Sequence, residues 1–96
     1  MNALKIISLA EDAKMPLQIG AFMESRLGIT ASAHLALKSD RIVYYDFDTP
    51  LMFTDDPVNG GVKYQENGVV KLPETNGLGA TISDEWLRKM ESCIIN

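Results

Sequence analysis

The pattern that most constrains this chain is a strand, a helix and a second strand within residues 16–46. Pro16-Leu17-Gln18-Ile19-Gly20-Ala21-Phe22 predicts a short strand, and Gly20 inside it marks a close approach of neighbouring structure. Residues 29–38 predict a helix whose small residues Ala31, Ser32, Ala33 and Ala36 let it lie close against a sheet. Ile42-Val43-Tyr44-Tyr45-Asp46 predicts a second strand, rich in β-formers. A span of 31 residues is the size of one βαβ unit. Alternation of this kind implies an α/β fold, a parallel sheet with helices outside it.

The flanks extend the pattern. Residues 3–13 predict a helix with a wide apolar stripe through Leu4, Ile7 and Ala10 and through Ile6, Leu9 and Ala13. Asn2 is its expected N-cap, and Pro16 marks the far boundary. After residue 58 the style changes. Gly60-Gly61 opens an expected hairpin, with arms 62–65 and 69–72 around Glu66-Asn67-Gly68. Pro73 ends the second arm, and Gly77-Leu78-Gly79 forms a tight connection. Ser83 is the expected N-cap of a last helix, with Asp84 and Glu85 in its first turn and Arg88 and Lys89 later, where the helix dipole favours each. The division is residues 1–58 and residues 59–96, read as a change of layer rather than a linker.

Two parallel strands do not make a stable sheet. Parallel sheets are covered on both faces and normally have several strands, and here each strand leaves one edge unpaired. The chain therefore reads as the end of a larger α/β protein. If it is ordered alone, self-association or pairing with missing strands is expected. Composition narrows the function classes. Of 96 residues, 46% are hydrophobic and 23% charged, which is globular rather than disordered. A net charge of −4 disfavours nucleic-acid binding. No apolar stretch reaches the roughly 18 to 20 residues of a membrane span. The start of the chain lacks the basic flank and cleavage site of a signal peptide, so the cytoplasm is the expected location. The single cysteine, Cys93, excludes an internal disulfide and has no local activating base. One Cys and one His cannot build a zinc cluster.

Sites in parallel α/β folds lie at the carboxyl ends of the strands, and two acidic features fall there. Glu24 follows the first strand, and Asp46 and Asp48 flank Phe47 at the end of the second. In extended chain, residues two apart point to one side, so the two aspartates converge, and Glu24 can help line the same pocket. Three carboxylates facing one cavity favour a cation: an ammonium, a metal or a protonated base. The competing reading makes Asp-x-Asp a turn or cap and Glu24 a surface residue. Asp55-Asp56-Pro57 reads as a solvated turn, and His34 as a packed histidine rather than a catalyst. Met1, Met15, Met23, Met52 and Met90 read as core filler. Trp86 and Leu87 read as the apolar face of the last helix.

The run Phe22-Met23-Glu24-Ser25-Arg26-Leu27-Gly28-Ile29-Thr30-Ala31-Ser32-Ala33-His34-Leu35-Ala36 resembles the penultimate barrel segment of the enolase superfamily, in its muconate-lactonising subgroup. Tyr45-Asp46-Phe47-Asp48-Thr49-Pro50-Leu51 resembles the last barrel strand of that subgroup's dipeptide epimerases, where an Asp-x-Asp pair is typical. Asp55-Asp56-Pro57, the hairpin, and Leu72-Pro73 through Gly79 resemble the tail that leaves the barrel and returns to the capping domain. The resemblance covers nearly the whole chain. It implies the last two βα units of a modified (β/α)8 barrel, followed by a β-hairpin and a C-terminal helix that packs on the capping domain.

The resemblance also implies what the chain lacks. Family members bind Mg2+ through carboxylates on middle barrel strands and abstract a proton next to a carboxylate, forming an enolate. In the epimerases, lysines on the second and sixth strands are the acid–base pair. None of those strands is in this sequence, so it supplies no catalytic residue and no metal ligand, and it binds no Mg2+ alone. Asp46 and Asp48 match the pair that holds the dipeptide's ammonium, and Glu24 matches the acidic position after the seventh strand. The isolated chain is then expected to be inactive. Three alternatives stay open. Two are a fragment of a muconate cycloisomerase or of an o-succinylbenzoate synthase, against which the Asp-x-Asp speaks because their substrates lack an ammonium. The third is a non-catalytic, self-associating module.

Overall fold

The computed structural model describes residues 2–95. Helix α1 spans Asn2–Asp12, strand β1 Leu17–Ile19, helix α2 Arg26–Ala36 and strand β2 Ile42–Tyr45. A 3-10 turn follows at Thr49–Met52. The second half holds β3 (Val58–Gly60), β4 (Lys63–Tyr64), β5 (Val70–Lys71), β6 (Ala80–Ile82) and helix α3 (Asp84–Lys89). The α/β pattern is as the sequence predicts, and β1 and β2 pair in parallel. The pair is a two-stranded sheet, so its outer edges have no partner strand among the described residues. No helix among these residues is long and apolar enough to cross a membrane.

Several boundaries move, each for a local reason. Asn2 lies inside α1 rather than capping it, so the cap position falls outside the described residues. The helix ends at Asp12, before Pro16 acts. Lys14 takes a left-handed φ of 54°, the conformation that closes many helices. β1 is three residues long, and the chain bends at Met23 just before Glu24. α2 begins at Arg26, three residues earlier than expected, after Ser25 in an extended conformation.

The hairpin forms where Asn-Gly predicts it. Lys63 pairs with Lys71 and Tyr64 with Val70, and Asn67 and Gly68 both take positive φ at the turn. Gly60-Gly61 does not open this hairpin. Gly60 ends β3, which pairs antiparallel with β6 through Val58–Ile82, Asn59–Thr81 and Gly60–Ala80. The Gly61 N–H donates to the Gly79 carbonyl at 2.7 Å. Gly60 sits at φ +73°, and a Cβ there would collide with the same carbonyl. This close approach therefore requires glycine.

Two apolar clusters hold the elements. Ile7, Ala36 and Ile42 form one, with Leu17, Ile19, Leu35 and Phe47 around it. Ile29, Ala33 and Val62 form the other, with Ala21, Phe47, Tyr64, Val70 and Leu72. Phe47 touches both, and residues on either side of position 58 meet in the second. Polar ties reinforce that junction. The Arg26 guanidinium donates to the carbonyls of Val58 at 2.5 Å, Gly60 at 2.5 Å and Val62 at 3.0 Å, and pairs with Asp56 at 2.5 Å. Asp56 also accepts from the Val58 N–H at 3.0 Å, so it anchors this junction although it remains exposed to solvent. The buried Thr30 hydroxyl donates to the Arg26 carbonyl at 2.6 Å and accepts from the Val62 N–H at 3.0 Å.

Much apolar surface is left outside. On α1, Ile7 and Ala10 are buried while Leu4, Ile6 and Leu9 are exposed. Met15, Met23, Met52 and Met90 are exposed too. They are not core filler here, because the short sheet leaves them nothing to pack on. Ser83 precedes α3 as expected, without a side-chain cap bond. Trp86 is half-buried and Leu87 exposed, so α3 presents no buried face.

Thr30→Val keeps the shape of a buried side chain but leaves the Val62 N–H unpaired. Urea unfolding should show a loss of about 1–3 kcal/mol, and Thr30→Ser, which keeps both bonds, should lose less.

Candidate functional site

The carboxyl end of the β1–β2 pair carries the acidic residues. β2 ends at Tyr45. The Asp46 N–H still continues the ladder, donating to the Ile19 carbonyl at 2.9 Å. The Asp46 carboxylate is exposed and accepts from the Gln18 amide at 3.0 Å. Asp48 does not continue the extended chain. It takes α-region angles, φ −89° and ψ −16°, at the head of the 3-10 turn, where Pro50 is pre-organised for the first helical positions. Its side chain makes no capping bond. Alternation along a strand therefore does not set the relation of Asp46 to Asp48. The α-region backbone of Asp48 does.

Glu24 is half-buried and folds back over its own loop. Its carboxylate accepts from the Phe22 N–H at 3.3 Å. Its other oxygen lies against α2 at Gly28, where a Cβ would stand 3.0 Å away. The Glu24 backbone carbonyl, rather than its carboxylate, reaches the acidic loop, accepting from the Thr49 hydroxyl at 3.4 Å. Asp46 and Asp48 thus share one loop, and Glu24 braces that loop from the β1 side. The ion pairs among the described residues are Arg26–Asp56, Lys71–Glu74 and Lys89–Glu85. None neutralises Glu24, Asp46 or Asp48.

Beside Asp48 lies an open, largely apolar cleft of about 650 Å³, walled by α2 at Ala33 and Ala36 and by Tyr45, Phe47, Tyr64 and Val70. The Tyr64 hydroxyl donates to the Phe47 carbonyl. The Tyr45 ring stacks on Phe47 with centroids 5.5 Å apart. Burial pushes the Tyr64 hydroxyl above its ordinary value of 10.0. The Arg26 guanidinium pulls it down, and the Asp48 and Asp56 carboxylates add to the rise. Tyr64 is therefore a neutral donor at physiological pH.

The resemblance brings Mg2+ into question, and the residues present do not fit it. Among the described residues, no three His, Cys, Asp or Glu side chains converge to hold a metal ion, whereas Mg2+ demands near-octahedral oxygen coordination. His34 is a packed histidine, its Nε2 3.1 Å from the Leu78 carbonyl. Cys93 is exposed. Gln18, Tyr64 and Thr49 escaped the sequence reading. Gln18 and Thr49 had position as their signal, on the neighbouring strand and on the turn after the acidic residues; Tyr64, on the hairpin 17 residues from Phe47, had none.

Comparison with known proteins gives a consistent neighbourhood. Residues 1–86 match the family described as Enolase C-terminal domain-like. The D-Ala-D/L-Ala epimerase of Cytophaga hutchinsonii is 59% identical over 95 residues, covering 99% of this chain and 26% of that protein. The L-Ala-D/L-Glu epimerase of Bacillus subtilis is 40% identical over 78 residues, covering 81% of this chain and 21% of that protein. The crystal structure of a dipeptide epimerase from Cytophaga hutchinsonii, complexed with Mg and the dipeptide D-Ala-L-Val, matches with a TM-score of 0.91 at 60% identity. That match covers 94% of this chain and 24% of that one. The chain thus spans about a quarter of the length of these relatives.

The Tyr64 shift has a sign that can be measured. A raised hydroxyl contributes stability that is fully present below the ordinary value of 10.0 and is lost as pH rises through the folded-state value above it. Urea midpoints taken from about pH 8 to about pH 11 should fall more steeply at the alkaline end for the native sequence than for Tyr64→Phe.

Proposed function

The chain belongs to the enolase C-terminal domain-like family and matches the C-terminal part of enolase-superfamily barrels, and on that premise we propose that these residues are part of a dipeptide epimerase and supply its site for the dipeptide's ammonium. The observation that carries this reading is the unneutralised acid at the carboxyl end of the parallel pair. Asp46 and Asp48 lie exposed on one loop, and among the described residues the side chain that bonds the Asp46 carboxylate is the neutral amide of Gln18. An incoming ammonium replaces that amide with charge-assisted hydrogen bonds, which are roughly twice as strong as neutral ones. Glu24 adds negative potential at the same end of the sheet.

The rest of the reaction belongs to other parts of the complete enzyme. Proton abstraction next to the carboxylate, through an enolate, needs a base and the Mg2+ that a relative's structure contains. The described residues hold no group of side chains that could bind the metal, and in this reading the base lies on another part of the enzyme. Residues 1–58 act as the barrel part and residues 59–96 as the tail returning to the capping domain, with α3 laid on that domain. The location that fits is the cytoplasm. The 96 residues alone are inactive, and their exposed strand edges and the Leu4, Ile6 and Leu9 face of α1 pair with the remaining barrel segments or, in isolation, with one another.

At its natural length the protein should interconvert D-Ala-D-Ala and D-Ala-L-Ala, followed by chiral chromatography, with L-Ala-D-Glu as the second substrate to try. Chelation should stop turnover and added Mg2+ should restore it. Asp46→Asn and Asp48→Asn should each lower kcat/KM about 10- to 100-fold, the worth of a charged hydrogen bond. Unchanged kinetics in both variants would remove the assignment. The 96-residue chain made by itself should sediment as concentration-dependent oligomers.

A further inference from the structure

The hairpin carries none of the acidic residues, yet one of its side chains reaches the acidic loop. Tyr64 lies on β4, and its hydroxyl donates to the Phe47 carbonyl, the oxygen between Asp46 and Asp48. A peptide unit is planar. Holding the Phe47 carbonyl therefore also holds the Asp48 N–H in that plane, and with it the direction in which the Asp48 side chain leaves the backbone. Other ties of this loop come from elsewhere: Ile19 on the Asp46 N–H, Gln18 on the Asp46 carboxylate, the Leu51 N–H on the Asp48 carbonyl, Glu24 on Thr49, and the Tyr45 ring on Phe47. None of them is a hydrogen bond to the Phe47–Asp48 peptide.

We propose that Tyr64 is a positioning residue for the ammonium site, setting the angle between the Asp46 and Asp48 carboxylates by clamping the Phe47–Asp48 peptide. The proposal rests on the reading of those aspartates given above. The geometry suits a clamp. The Tyr64 ring is packed in the cluster of Ile29, Ala33 and Val62, so the hydroxyl is carried on a rigid arm. That cluster is tied to α2 by Arg26 and Thr30. The hairpin thereby carries the orientation of a loop 17 residues away in sequence. The tail from residue 59 onward then contributes to substrate selection as well as to the return of the chain.

The test is calorimetric binding of D-Ala-D-Ala and of N-acetyl-D-Ala-D-Ala, which lacks the ammonium, to the protein at its natural length. Tyr64→Phe keeps the packed ring and removes the hydroxyl. It should weaken binding of the free dipeptide about three- to tenfold, the worth of one hydrogen bond, and leave the acetylated one unchanged. Equal weakening of both ligands would mean a merely structural tyrosine and overturn the proposal, as would no change in either. Asp46→Asn with Asp48→Asn separates the two claims. If the double variant abolishes the preference for the free amine and Tyr64→Phe does not alter it, the clamp fails and the ammonium site stands. If the double variant leaves the preference intact, the ammonium site fails and the clamp with it.

Discussion

One guanidinium joins the two halves of this chain. Arg26, at the first position of α2, gathers the carbonyls of Val58, Gly60 and Val62 and the carboxylate of Asp56. Those carbonyls belong to a strand and turn with too few neighbours to satisfy them by sheet pairing. β3 pairs with β6 along three residues, and the turn at Gly60-Gly61 bends away from it. A charged donor of fixed fork geometry meets that need better than a flexible ammonium would. The Thr30 hydroxyl, one helical turn on, takes the remaining Val62 N–H. With that segment locked, Val62 fills the gap against Ile29 and Ala33, and the hairpin behind it stands where Tyr64 reaches Phe47.

The fold was legible where the signals were local. Asn67-Gly68 states its turn outright, because both positions need a left-handed backbone. The Ala-rich run of α2 and the β-branched and aromatic run of β2 declare their elements by period and residue type. What stayed hidden was long-range. Nothing in Val58-Asn59-Gly60 or Ala80-Thr81-Ile82 announces that they pair across the intervening residues 61–79. Asp56 looks like a solvated turn residue until Arg26, 30 positions earlier, is placed against it. The site shows the same split. Asp46, Asp48 and Glu24 were identified from residue type at strand ends, but their geometry was not, because the strand stops at Tyr45 and the chain enters a 3-10 turn at Asp48.

The exposed surface agrees with a partial barrel. A helix apolar on two faces is a helix with two neighbours, and α1 has one here. Two parallel strands with free outer edges are the middle or end of a wider sheet. An incomplete sheet is what a match over residues 1–86 to a C-terminal domain family would leave. Packing physics says that strands are missing, and the relatives are about four times as long.

The central claim is that the unneutralised carboxylates at the end of this sheet receive an ammonium. A crystal structure of the natural-length protein with D-Ala-D-Ala bound tests it most directly. The account expects the dipeptide nitrogen within about 3 Å of carboxylate oxygens of both Asp46 and Asp48, with the Gln18 amide displaced from Asp46. A dipeptide bound with its ammonium elsewhere, and Gln18 still on Asp46, would contradict it.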